Sequence, residues 1–120
     1  VSAFHKDLDA RGQGGRVLTV SFSEFGRRVA QTASNGTDHG TASAAMLFGG
    51  GVKGGRVLAD WPGLGQSALY EGRDLKPTRS LDALIAGAVA SHYALDPARV
   101  QAALFPETRG APPILGLARA

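Results

Sequence analysis

The sequence predicts an α/β fold. Three observations carry that reading: 17 glycines in 120 residues, about twice the usual share of ~7%; apolar stripes of helical period near both ends; and short strand-like runs between them. An excess of glycine suits turns that join strands to helices and disfavours a helical bundle. The length fits a single domain, since domains cluster near roughly 100–150 residues, and such a chain buries roughly two-thirds of its unfolded surface.

Val1, Phe4 and Leu8 recur at helical spacing, and Gly12 ends the stripe. The stripe opens at Val1 with no capping residue, so the expectation is a helix cut from a longer chain. After the Gly12–Gly15 loop, residues 16–22 alternate, with Leu18, Val20 and Phe22 on one face, which predicts a strand. Ser23 is expected to cap a short helix over 24–30, with Glu24 in its first turn. Residues 32–41 are polar and glycine-containing and read as a loop holding Thr37-Asp38-His39-Gly40. Residues 44–48 form an apolar run expected as a buried strand. A glycine-rich turn at 49–55 then leads to a further short strand at 56–59. Gly63, Gly65, Gly72 and two prolines make 60–79 irregular. Ser80 caps a helix whose stripe is Leu81, Leu84, Ile85, Ala88, Val89 and His92. Asp96-Pro97 starts another helix, with the Asp as N-cap, Pro in the first turn, and Pro106 as its stop. The end of the chain is expected to be extended.

Composition excludes several function classes. There is no cysteine, so neither a disulfide framework nor a thiolate zinc site is available. No apolar run approaches the roughly 20 residues of a membrane helix, so no membrane span is expected. The net charge is +3, and ten of thirteen basic residues are Arg, but they are scattered and not interleaved with aromatics. No nucleic acid partner is therefore expected.

Few residues carry candidate chemistry. Lys53 lies in a glycine run but is followed by Gly54-Gly55 rather than Ser or Thr opening a helix, so a phosphate loop is not formed. His5, His39 and His92 do not pair at the spacing of a helical metal site. His39 differs from the others because it follows Asp38 between glycines, and a carboxylate beside an imidazole is metal-binding chemistry where further ligands converge. Glu24 sits just past a predicted strand, where open α/β sheets place ligands. It is open there to metal binding, to acting as a base, or to favouring a helix N-terminus.

Five blocks, Ser-Glu-Phe-Gly-Arg-Arg (23–28), Gly-Thr-Asp-His-Gly (36–40), the glycine run 49–55, Asp-Trp-Pro-Gly-Leu (60–64) and Tyr-Glu-Gly-Arg-Asp-Leu (70–75), occur together in order. On these the chain resembles the C-terminal part of the bacterial proteins catalogued as domain of unknown function 1501. The resemblance implies the alkaline phosphatase-like superfamily, with sulfatases and cofactor-independent phosphoglycerate mutases. It implies the C-terminal portion of a three-layer α/β sandwich, few strands flanked by helices, so that residues 1–120 are one partial domain. In that superfamily a late strand ends in an Asp-His-Gly motif and a loop His follows. Either Asp38-His39-Gly40 is that motif, or residues 23–26 take its place, with Glu24 for the Asp and Phe25 for the His. The second alignment is preferred, because the strand at 16–22 runs directly into residues 23–26; His39 is then the later loop ligand.

The metal ligands implied by the resemblance are His39, Asp38 and Glu24. Arg27 is the residue for an anionic substrate or for bracing the loop. The implied activity is metal-dependent hydrolysis of phosphate or sulfate esters by the parent protein, with a divalent ion (zinc, manganese, calcium or magnesium) and a nucleophile upstream, the fragment being inactive alone. The alternative is a non-catalytic binding or interaction module on a degenerate scaffold, including a homodimer that covers sheet edges. The resemblance also implies a periplasmic or cell-envelope location.

Overall fold

The computed structural model describes residues 1–108 and 110–119. The fold is mixed α/β, with helices α1 (Ser2–Ala10), α2 (Leu81–Tyr93) and α3 (Pro97–Leu104) and strands β1 (Thr19–Ser21), β2 (Gly26–Gln31), β3 (Thr37–Gly40) and β4 (Met46–Phe48). The strands form two small sheets, β1 with β4 and β2 with β3. The chain divides into two compact units, Val1–Val20, Leu47–Val57 and Ser80–Ala120 in one, Ser21–Met46 and Leu58–Arg79 in the other.

In the first unit, the two later helices start where their caps are encoded. The Ser80 side chain accepts from the Ala83 amide, and the Asp96 side chain accepts from the Arg99 amide with Pro97 in the first turn. Each cap satisfies an amide that the helix itself leaves without a partner. Leu81, Leu84, Ile85 and Val89 are half-buried, while the fully buried face of α2 consists of Ala83, Ala86, Gly87, Ala88 and Ala90. Small residues there let backbone approach closely. A Cβ on Gly87 would lie 1.9 Å from the Ile114 carbonyl oxygen, and the Ile114 amide donates to the Ala83 carbonyl at 2.9 Å. Ala86, Ala90 and Val100 form the core where α3 packs on α2, flanked by Val89 and Phe105. Buried Gln101 donates to the Thr108 and Ala111 carbonyls at 2.9 and 2.6 Å, tying down the chain that follows α3.

The remaining parts of this unit depart from several expectations. Of the strand predicted at 16–22 only Thr19–Ser21 joins a sheet, and Arg16 falls in a 3-10 turn, Gly14–Arg16, whose backbone is otherwise engaged. The Gly14 carbonyl accepts from the Gly50 amide at 3.1 Å, and the Arg16 amide donates to the Gln13 carbonyl at 2.9 Å. The run at 44–48 is a strand only at Met46–Phe48. The glycine-rich turn does not lead to a strand at 56–59. Instead Val52 pairs with Ala118 of the extended tail, and the Arg56 side chain donates to the Lys53 and Gly116 carbonyls. Val57 is left 89% exposed with no ladder to join.

In the second unit, the helix expected over 24–30 is strand β2 and the loop expected at 32–41 contains strand β3. Ser23 does make a cap-like bond, its Oγ accepting from the Phe25 amide at 3.2 Å. Continuation as a helix loses to pairing, because Gly26 lies against the chain after β3. A Cβ there would meet Thr41 and Ala42 backbone atoms at 2.2 to 2.4 Å. The turn between the strands is Thr32–Gly36, with the Thr32 amide donating to the Gly36 carbonyl at 2.8 Å and Asn35 in the left-handed region at φ 61°. Among the described residues no helix is long and apolar enough to cross a membrane.

Candidate functional site

Three of the residues singled out by the sequence, Arg27, Asp38 and His39, lie on the antiparallel β2–β3 hairpin. Gly26 pairs with Gly40 and Arg27 with His39, while the register shifts between Arg27 and Gln31. Directly opposed residues project to the same face of a sheet, and neighbours along one strand project to opposite faces. Arg27 and His39 therefore share a face, and Asp38 belongs to the other. The two glycines make the close approach feasible: a Cβ on Gly40 would meet Arg27 and Arg28 backbone atoms at 2.5 to 2.7 Å.

On the Arg27 face, the Phe25 ring stacks on His39 with centroids 4.4 Å apart and planes 11° from parallel. Stacking covers a face of the imidazole and leaves its nitrogen-bearing edge. Arg27 Nη1 donates to the Thr37 carbonyl at 2.7 Å, which braces the start of β3 with one part of the guanidinium fork. The fork geometry matches carboxylate, phosphate or sulfate at its other donors. On the opposite face, Arg28 Nη1 lies 3.9 Å from Asp38 Oδ2, a long contact between partly exposed groups. Arg28 Nε is enclosed and has no hydrogen-bond partner among the described residues.

Glu24 is exposed in the bend that precedes β2. The hairpin thus brings His39 and Arg27 together and separates Asp38 from them. Among the described residues no group of three or more His, Asp or Glu side chains is placed to hold a metal ion. Asp38 and His39 hold adjacent positions of β3, which carry the carboxylate and the imidazole to opposite faces, and Glu24 lies in the bend before β2.

Sequence reasoning missed the most buried charge of this unit. Asp74 is 1% exposed; Arg73 Nε donates to its Oδ1 at 2.7 Å and Thr41 Oγ1 donates to its Oδ2 at 2.8 Å. The Arg73 hydrogen bond, then the Thr41 hydrogen bond, hold the Asp74 carboxyl below the usual carboxylate range, against the effect of burial; the charges of Arg73 and Arg28 add to the lowering. In return the Asp74 bond raises the Arg73 guanidinium. Residues 73–75 run beside β2, with the Val29 amide donating to the Arg73 carbonyl at 3.2 Å and the Leu75 amide to the Arg27 carbonyl at 3.1 Å. The Tyr-Glu-Gly-Arg-Asp-Leu block was visible in the sequence, but nothing in it distinguishes Asp74 from a solvated turn residue.

The first unit contains a separate cleft of about 450 Å³ lined by His5, Asp9, Leu47, Phe48 and the glycines that follow. His5 is engaged there, its Nε2 3.1 Å from Thr19 Oγ1.

Neither the curated proteins nor the solved structures yield a match to this chain. A family profile does: the one described as "Protein of unknown function (DUF1501)" matches residues 1–103. That span takes in α1, both sheets with the β2–β3 hairpin and its Asp74 anchor, and nearly all of α3, and on it the chain belongs to the DUF1501 family.

Proposed function

We propose that the chain is part of a hydrolase of phosphate or sulfate esters on an alkaline phosphatase-like scaffold, and that its β2–β3 hairpin receives the anionic group of the substrate. The observation that carries this reading is the direct cross-strand pairing of Arg27 with His39. A guanidinium supplies planar, charge-assisted hydrogen bonds to a tetrahedral oxyanion. An imidazole beside it supplies a further donor or a proton. The resemblance implies a divalent metal, and His39 is its proposed ligand on this face. A zinc site takes about four ligands, so a bound ion would draw on groups beyond Glu24, Asp38 and His39. Bound metal would polarise the ester and lower the pKa of a nucleophile; the residues of this chain orient the anion. A periplasmic or cell-envelope location belongs to the same proposal.

The test is turnover of p-nitrophenyl phosphate and p-nitrophenyl sulfate by the natural protein that contains this chain, with and without added zinc or manganese. The proposal expects hydrolysis of at least one ester and a large loss in Arg27→Ala. Absence of turnover of both esters with every metal would refute the hydrolase reading. The stacking of Phe25 on His39 favours a second reading, a non-catalytic anion-binding module on the same scaffold. It expects sulfate binding that survives without metal and without turnover.

A further inference from the structure

We infer that Asp74 is a positioning residue that holds Arg27 and His39 on one face of the β2–β3 hairpin, an inference that rests on the anion-recognition reading above. An isolated two-stranded hairpin is marginally stable in water, and this one loses regular register between Arg27 and Gln31. The alignment of Arg27 with His39 therefore needs support from outside the two strands.

Asp74 supplies it from both sides. Its backbone bridges Arg28, within the segment that accepts from Val29 and donates to the Arg27 carbonyl. Its carboxylate accepts from Thr41, the residue immediately after β3, at 2.8 Å. One residue thus joins the flank of β2, through its backbone, to the end of β3, through its side chain. Arg27 is held at its carbonyl by Leu75 and at its amide by the Ala42 carbonyl, 3.0 Å away. A carboxylate only 1% exposed must be compensated. Arg73 Nε does so at 2.7 Å while its own side chain stays half exposed. Buried ionic groups serve best as devices that fix register, and here the register in question sets two candidate site residues opposite each other. Among the described residues the side-chain partners of the Asp74 carboxylate are Thr41 and Arg73, so its role toward Arg27 and His39 is to place them.

The test compares Asp74→Asn, Thr41→Val and Thr41→Ser with wild type in the natural protein that contains this chain. The His39 ring protons, shielded by the stacked Phe25, are followed by NMR without any anion, and sulfate affinity is measured by calorimetry. Arg79→Ala serves as the control, since it removes an exposed pair with Asp60 in the same unit. The expected result is loss of the His39 shielding and about tenfold weaker sulfate binding in Asp74→Asn and Thr41→Val, the scale on which outer-shell partners act. Thr41→Ser restores both and Arg79→Ala changes neither. Should Asp74→Asn fail to fold, Thr41→Val, which keeps the carboxylate with Arg73, carries the test. The inference is overturned if His39 and the affinity stay at wild-type values in both variants, or if Arg79→Ala moves them equally. If the His39 signals move but the wild-type protein binds no sulfate, the positioning role is supported and the anion reading is the one that fails.

Discussion

Replacing Gly40 by Ala tests the packing that creates the hairpin face. A Cβ at this position would stand 2.5 Å from the Arg27 carbonyl carbon, 2.7 Å from its oxygen and 2.7 Å from the Arg28 amide nitrogen. All three are backbone atoms in the paired strand, so no rotamer change relieves the overlap; the strands must separate by several tenths of an ångström or more. Forced overpacking of this kind costs about 1–3 kcal/mol, and overlap with a whole backbone peptide group, which cannot swing aside as a side chain does, puts Gly40→Ala at the upper end, about 3 kcal/mol. Gly36, in the turn of the same hairpin, has only Thr32 Oγ1 near its Cβ position, at 3.9 Å. Gly36→Ala therefore stays within about 0.5 kcal/mol of wild type, as open surface substitutions do. Thermal melts and amide exchange of β2 read the difference. At roughly 3–5 °C per kcal/mol for a chain of this size, Gly40→Ala lowers the midpoint by about 10 °C and unprotects the Arg27 amide. A Gly40→Ala protein as stable as Gly36→Ala, with β2 still protected, would refute the close-approach reasoning.

Three further outcomes follow from the same structure. Asp96→Ala removes the cap bond to the Arg99 amide and is expected to lower stability by about 1 kcal/mol in urea unfolding, with Asp96→Asn retaining most of it. Gly87→Ala places a Cβ 1.9 Å from the Ile114 oxygen, so proteolysis is expected to cut the tail beyond α3 much faster than in wild type. Because the folded pKa of Asp74 lies below its ordinary value, its contribution is complete above about pH 4 and drains away as pH falls through the folded value. The urea midpoint of wild type is then expected to drop on acidification below that range more than the midpoint of Asp74→Asn.

The helices at the C-terminal end were legible because their signals are local. Ser80 and Asp96 are side chains that accept from an amide three residues on, and no distant residue has to cooperate. The hairpin was misread for the opposite reason. Ser23 offers the same local cap chemistry, yet what decides the conformation of 24–31 is Gly26 lying against Thr41 and Ala42, a contact between residues far apart in sequence. A local signal does exist there: Asn35-Gly36 between two short runs is a hairpin dipeptide that favours a second strand after it. The candidate residues Arg27 and His39 were found by type and motif, but their pairing came only with the register. Asp74 was invisible because burial of a carboxylate depends on Arg73 and Thr41 closing over it, which composition does not reveal.

The Arg27–His39 face of the hairpin is proposed to receive a tetrahedral anion. The decisive experiment is titration of the natural protein that contains this chain with sulfate at constant ionic strength, followed by NMR at the Arg27 guanidinium and the His39 ring. Saturable shifts are expected at both residues in wild type, and no saturable shift at His39 in Arg27→Ala. Shifts absent from wild type, or undiminished at His39 in Arg27→Ala, would contradict the proposal.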